Sequence, residues 1–220
     1  VCKQYEVPLL IDAAQTAGLF QKKPGKLNVQ YWCAPAHKGL LGPSGLGLLF
    51  LGQNVDLNPL IYGGTGSKSE NLQMPSAYPD RLEAGSFSAA NIAGLKAALE
   101  FLQGQDCSAL AAAELELSDR FRDFLESKEE FLLPPRPKGK QAPVVSFRIR
   151  NMDPSLTAEM LDRQFGICTR AGLHCAANAH RTLGTLDTGL VRVSFSCFNT
   201  NDELDQLIEA LNKIIASSSA

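Results

Sequence analysis

The 220 residues allow one large domain or two small ones with ample core, and 45% hydrophobic with 20% charged residues is ordinary for a globular protein. A net charge of −2 leaves no basic footprint for nucleic acid. No apolar run is long enough to span a bilayer, and Val1 leads into polar Lys3 and Gln4 rather than into a signal peptide. Residues 7–13 form a short apolar run that reads as a buried parallel strand, Leu9-Leu10-Ile11, with Asp12 at its C-terminal end. Open α/β sheets place ligands at that end of their strands. Residues 22–26 are a basic Pro-Gly turn, residues 29–33 a strand leading to His37 and Lys38, and residues 45–51 a further strand, its antiparallel partner.

A loop with Pro59 follows, then the small-residue run Gly63-Gly64-Thr65-Gly66-Ser67, then a polar, irregular stretch. Ile92, Leu95, Ala98, Leu99 and Leu102 recur at helical spacing up to Gly104, which predicts a helix that links two domains. From Ser108 the composition shifts. Leu110, Leu115, Leu117, Phe121, Phe124 and Leu125 mark a long amphipathic helix, and residues 134–140 a Pro-rich loop. Residues 144–149 alternate as a half-exposed strand. Residues 157–165 read as a short helix with Leu161 and Phe165 inward, residues 167–170 as a strand, and residues 190–195 as another alternating strand. Thr200-Asn201-Asp202-Glu203 is a capping box that opens a final helix with Leu204, Leu207, Ile208, Leu211, Ile214 and Ile215 on one face.

The chemistry centres on Ala36-His37-Lys38-Gly39-Leu40-Leu41-Gly42-Pro43-Ser44-Gly45-Leu46-Gly47, one lysine opening a segment with four glycines. A lysine that loses its proton in a pocket can form a Schiff base with an aldehyde. A pyridoxal phosphate enzyme needs such a lysine and an acid facing the pyridine nitrogen. Glycines beside it let backbone approach a cofactor without a Cβ clash. The run at 63–67 has the small residues that cradle phosphate but lacks the Lys-Ser/Thr pair of a nucleotide P-loop. Cysteines stand at 2, 33, 107, 168, 175 and 197 with no C-x-x-C pair, which argues against a zinc framework or, at this length, a disulfide scaffold. Cys33, Cys168 and Cys197 lie in apolar runs and read as small core residues, in keeping with a reducing cytoplasm. Taken singly, each signal has a plainer reading: Lys38 as a surface lysine, Asp12 as a helix N-cap, His37 as a loop histidine, Cys175 as an inert buried thiol, Arg192 as half of a salt bridge.

Six blocks in order resemble the cysteine desulfurase family of class V aminotransferase-type, pyridoxal-phosphate-dependent enzymes: Asp12-Ala13-Ala14-Gln15, His37 to Pro43, Gly63 to Ser67, Arg81-Leu82-Glu83-Ala84-Gly85, Arg170-Ala171-Gly172-Leu173-His174-Cys175 and Val191-Arg192-Val193-Ser194. The resemblance implies an α/β fold of the fold type I class. Residues 1–104 would be the remainder of a large, mostly parallel-sheet cofactor domain, and residues 105–220 a small α/β C-terminal domain. It implies that Lys38 holds pyridoxal 5'-phosphate, Asp12 pairs with the pyridine nitrogen, Gln15 bonds the phenolic oxygen and His37 reaches the phosphate. Thr65 would reach the phosphate of the neighbouring subunit, which implies a homodimer with shared sites. Arg192 would bind the substrate carboxylate, with Arg170 binding substrate too or only ordering the loop. Cys175 would take sulfur from L-cysteine as a persulfide, leaving L-alanine, and pass it to a possible sulfur-acceptor protein. His174 and His180 read as secondary.

Where the family often has a serine or threonine two places before the histidine, this chain has Pro35, with neither hydroxyl nor N–H. The chain also has no initiator methionine, and the resemblance implies a longer protein whose N-terminal half carries a further phosphate loop and a residue that stacks on the cofactor. Three other readings stay open: a selenocysteine lyase, a class V aminotransferase acting on another amino acid, and a chain without activity of its own that docks on a full-length partner. Half a sheet would leave an apolar edge and face uncovered, which predicts poor solubility or obligate association.

Overall fold

The structure is a computed structural model that describes residues 1–20, 24–68, 70–136, 138–139 and 141–218. Part of the expected basic turn (residues 22 and 23) and two positions of the Pro-rich loop (137 and 140) lie outside the described residues. The chain forms two compact units, Val1–Cys107 and Ser108–Ala220.

In the first unit, strand β1 (Leu10–Asp12) pairs in parallel with β2 (Tyr31–Pro35), which pairs antiparallel with β3 (Gly47–Leu51). The register sets Asp12 beside Cys33, and the Ala13 N–H donates to the Cys33 carbonyl at 2.8 Å. β1 is parallel as expected but not buried: Leu10 is 58% exposed. The cause is its place in the order β1-β2-β3, which makes it an edge strand with one uncovered face. Leu49 on β3 and the run Leu60-Ile61-Tyr62 are exposed as well, so this unit carries open apolar surface. Helix α1 (Ala89–Gln103) starts at Ser88, whose hydroxyl accepts the Asn91 N–H, and stops at Gly104.

The second unit has its own core. Helix α2 (Cys107–Glu126) leads to β4 (Phe131–Leu132), β5 (Val144–Ile149), α3 (Pro154–Phe165), β6 (Arg170–Gly172), α4 (Ala177–Leu183), β7 (Leu190–Ser194) and α5 (Asn201–Ser218). The sheet order is β4-β5-β7-β6, every neighbouring pair antiparallel. Alternation sends Val145, Phe147, Ile149, Val191 and Val193 into the core, where they meet Phe121 and Leu125 of α2, Leu161 of α3 and Leu204, Leu207, Leu211 and Ile214 of α5. Phe147 has edge contacts with Phe121 and Phe131 at 5.8 and 5.6 Å between ring centroids, the arrangement ring quadrupoles favour. The capping box closes as expected. The Glu203 N–H donates to the Thr200 hydroxyl at 3.2 Å, and the Thr200 N–H donates to the Glu203 carboxylate at 2.8 Å.

Three expectations shift. The strand expected at 167–170 lies at Arg170–Gly172, because Gly166 (φ 68°) and Ile167 close α3: their N–H groups reach the Asp162 and Leu161 carbonyls at 2.9 Å. Cys168 is exposed rather than in the core, and Cys33 and Cys197 are only half-buried. Residues 177–183, where no element is expected, form α4.

Candidate functional site

Each unit carries part of the expected constellation. In the first, Asp12 ends β1 and its carboxylate accepts the Ala14 N–H at 2.9 Å, which fixes the turn that carries Gln15. β2 ends at Pro35, and the chain turns through His37 and Lys38, all of whose side chains but that of half-buried Pro35 are exposed. The Lys38 turn is tied back by two bonds at 2.8 Å, from the Leu41 N–H to the Lys38 carbonyl and from the Gly42 N–H to the Ala36 carbonyl.

Backbone packing joins the two loops. A Cβ on Gly18 would lie 1.8 Å from the Gly39 carbonyl oxygen, and one on Gly39 would lie 2.3 Å from the Ala17 carbonyl oxygen. The segment after Asp12 and the segment after Lys38 therefore touch where no side chain fits. Helix α1 supports the same turn: Asn91 donates to the Ser44 carbonyl at 3.0 Å, and Leu95 fills the space against Gly42. Among the described residues, neither Asp12 nor Lys38 has an ion-pair partner, and both side chains are exposed.

Farther along this unit, the Thr65 hydroxyl bonds that of Ser67 at 3.0 Å, and the Gly85 N–H closes on the Gly64 carbonyl at 2.8 Å. Arg81 organises the preceding loop by pairing with Asp56 at 2.6 Å and donating to Asn58 at 2.9 Å. The small-residue run is thereby stitched to the Arg81–Gly85 block, two motifs that sequence reading had kept apart.

In the second unit, Arg170 of β6 and Arg192 of β7 are direct cross-strand partners, and Ser146 of β5 is the next residue across from Arg192. Val191 and Val193 are core residues, so the pleat turns Arg192 to the opposite face of the sheet. Like charges directly opposite repel. Among the described residues neither arginine has a carboxylate within ion-pair distance, and the Arg192 Nε is buried without a partner. Such a pair suits an anion, and a guanidinium fork matches the two oxygens of a carboxylate.

Cys175 is exposed, on the turn after β6, and the Arg170 Nη2 stands 3.9 Å from its Sγ. His174 and Cys175 both take left-handed backbone, φ 53° and 59°, a conformation that costs a non-glycine residue roughly 1–2 kcal/mol. His174 Nε2 meets the Arg170 carbonyl at 3.0 Å, and because a carbonyl only accepts, that nitrogen carries the proton. Partial burial holds His174 below the ordinary histidine range, with the positive charges of Arg192, His180 and Arg170 acting the same way against the Arg170 hydrogen bond. His180 is buried, its ring 5.7 Å from that of His174, and its Nδ1 lies 2.8 Å from the Thr185 hydroxyl. Thr185 was missed in the sequence. Gly184, a residue that can end a helix, was the available hint of the turn that brings it back to His180.

A sequence profile of the aminotransferase class-V family matches residues 1–207. The chain belongs to that family. It is 31% identical over 210 residues to a probable cysteine desulfurase of Methanothermobacter thermautotrophicus, covering 93% of this chain and 52% of that relative. A probable cysteine desulfurase of Pyrococcus abyssi is 31% identical over 215 residues, with 94% and 52% covered. Among solved structures, the apo cysteine desulfurase of Thermococcus onnurineus matches with a TM-score of 0.88 at 27% identity, over 98% of this chain and 54% of that one. The cysteine desulfurase CsdA of Escherichia coli matches with a TM-score of 0.83 at 26% identity, over 98% and 53%. The α/β fold is the one these desulfurases have, and the chain spans about half the length of the curated relatives it matches. No helix among the described residues is long and apolar enough to cross a membrane.

Proposed function

We propose that this chain supplies the lysine-bearing part of the cofactor domain and the small C-terminal domain of a pyridoxal-phosphate-dependent cysteine desulfurase, a homodimer of the cytoplasm. The observation that carries the reading is the free arginine pair, Arg170 and Arg192, beside the exposed thiol of Cys175. A carboxylate-binding fork next to a nucleophile fits an amino acid that gives up sulfur. Residues 1–104 would be the remainder of the large domain and residues 105–220 the small one, a division that the two compact units, Val1–Cys107 and Ser108–Ala220, support to within a few residues.

The residues of the first unit fit the cofactor. Gly18 and Gly39 leave room only for backbone where the Asp12 and Lys38 loops meet, and both charged side chains are exposed and, among the described residues, without an ion-pair partner. Pyridoxal phosphate, when bound, supplies an electron sink for the bonds at the substrate's α-carbon. Lys38 Nζ would hold it covalently and move the α-proton. The Asp12 carboxylate would hold the proton on the pyridine nitrogen, Gln15 would orient the ring through its phenolic oxygen, and His37 would hold the phosphate. Thr65 would serve the phosphate of the neighbouring subunit. Arg192 would orient the substrate through its carboxylate, with Arg170 assisting. Cys175 Sγ would attack the substrate sulfur and keep it as a persulfide for a sulfur-acceptor protein, while alanine leaves.

The test is an absorbance spectrum of the purified chain with pyridoxal phosphate, set against Lys38→Ala, followed by sulfide release and alanine formation from cysteine. A Schiff-base band that needs Lys38, with sulfide release that needs Cys175, supports the reading. A band with turnover unchanged in Cys175→Ala points to an aminotransferase of another substrate, and no band overturns the cofactor assignment for this chain.

A further inference from the structure

The turn that carries Cys175 rests on groups that the proposed chemistry does not use. Only a short backbone bond, from the Ala176 N–H to the Leu173 carbonyl at 2.8 Å, closes it from within. Its support from outside is His174, whose Nε2–H donates to the Arg170 carbonyl, and whose ring lies against that of His180. His180 is 4% exposed, the one buried residue of α4. Thr185 binds it twice: Oγ1 lies 2.8 Å from Nδ1, and the Thr185 N–H donates to the His180 carbonyl at 2.9 Å. A polar residue buried in a short helix of otherwise exposed or half-buried side chains needs a reason to be there, and packing alone would be served by leucine or phenylalanine.

We propose that His180, anchored by Thr185, is a positioning residue: it seats the His174 ring, and through that ring's bond to the Arg170 carbonyl it holds the His174–Cys175 turn with the thiol beside the Arg170 guanidinium. The chain of contacts runs Thr185, His180, His174, Arg170, Cys175. It needs His174 neutral, because the guanidinium groups acting on that ring are cationic: Arg170 from β6 and Arg192 from β7. Protonation of His174 would set it against both and loosen the turn. Burial keeps the neutral form down to lower pH than an exposed histidine would.

The proposal rests on the reading of Cys175 as the sulfur-accepting residue, but its test uses neither cofactor nor turnover. The full chain is treated with iodoacetamide across a pH series, and the modification rates of Cys175 and Cys168 are read separately by peptide mapping. Cys168 is the reference, exposed and outside the contact chain. Because Cys175 is already exposed, loosening its turn gains no access and loses the Arg170 contact. The Cys175:Cys168 rate ratio is expected to fall about threefold or more in Thr185→Val and in His180→Phe, and to recover in Thr185→Ser, which keeps the hydroxyl. In the unaltered chain the ratio should hold through neutral pH and drop only in acid below the ordinary histidine range, a drop that His174→Asn abolishes. Equal ratios in the unaltered chain, Thr185→Val and His180→Phe overturn the proposal. If His180→Phe exposes every cysteine alike, the unit has unfolded, and the Thr185→Val and Thr185→Ser pair decides by the same ratio. A missing cofactor band would overturn the proposed function and leave this ratio intact.

Discussion

Replacing Gly18 by alanine tests whether the Asp12 and Lys38 loops are held together by backbone contact. Two costs add at this position. Gly18 has φ +85°, so a side chain there pays the left-handed penalty of roughly 1–2 kcal/mol. Its Cβ would also lie 1.8 Å from the Gly39 oxygen, which is backbone and must shift, an overpacking cost of about 1–3 kcal/mol. The sum is about 2–5 kcal/mol, a large part of the stability of a unit this size. Two further variants separate the costs. Gly66→Ala has φ +79° with open space around it and should lose only the first. Gly39→Ala lies outside the left-handed region but would meet the Ala17 oxygen at 2.3 Å, and should lose only the second. Urea unfolding followed by tryptophan fluorescence reads this unit alone, because the chain's one tryptophan, Trp32, lies on β2. If Gly18→Ala costs no more than Gly66→Ala and Gly39→Ala costs nothing, the two loops do not touch as described.

Other outcomes follow from the second unit and from the proposed chemistry. Phe147→Ala should destabilise that unit by about 3–5 kcal/mol, read by circular dichroism during denaturation, since the ring is fully buried between Phe121 and Phe131. Thr200→Ala should cost about 1 kcal/mol through loss of the α5 cap, by the same measurement. The Thr200 N–H holds the Glu203 carboxylate below its ordinary value of 4.5, with the Asn199 side chain helping. A depressed carboxylate stabilises above its unfolded value, and that contribution fades as pH falls below 4.5 through the folded value. Glu203→Gln should therefore flatten this acid-side loss in a pH series of unfolding midpoints. Arg192→Leu should raise KM for a carboxylate-bearing amino acid by about 10- to 100-fold in steady-state assays, the worth of a charged hydrogen-bonding pair.

Much of this was legible in the sequence where the signal is local. The capping box at Thr200–Glu203 and the alternation of residues 144–149 each depend on neighbours a few positions apart, and both appear as read. The motif residue Asp12 ends β1 as read, and Lys38 follows in the turn after β2. What the sequence could not show is set by pairing across distance. Nothing near Arg170 says that Arg192 lies opposite it; that follows from the β6–β7 register. The apolar pair Ile167-Cys168 looks like the start of a strand, yet Ile167 is used to close α3, and the strand begins three residues later. The His174–His180–Thr185 contacts were out of reach because α4 is only seven residues long and presents one buried side chain, too little for a periodic signal. The burial of β1 was misjudged because apolar content reports what a strand can bury and not whether anything covers it.

The β5–β7–β6 sheet divides labour between odd and even positions. On β7, Val191 and Val193 serve the core while Arg192 between them turns to the opposite face of the sheet, and on β5 Ser146 stands between Val145 and Phe147 in the same way. Packing and polar surface are thus written on one strand in interleaved letters. A residue of the outer face such as Ser146 can be exchanged without disturbing the oil beneath, which leaves that face free to vary on an unchanged scaffold. The same interleaving forbids a one-residue insertion in β7, because a single slip would put arginine in the core and valine on the outer face.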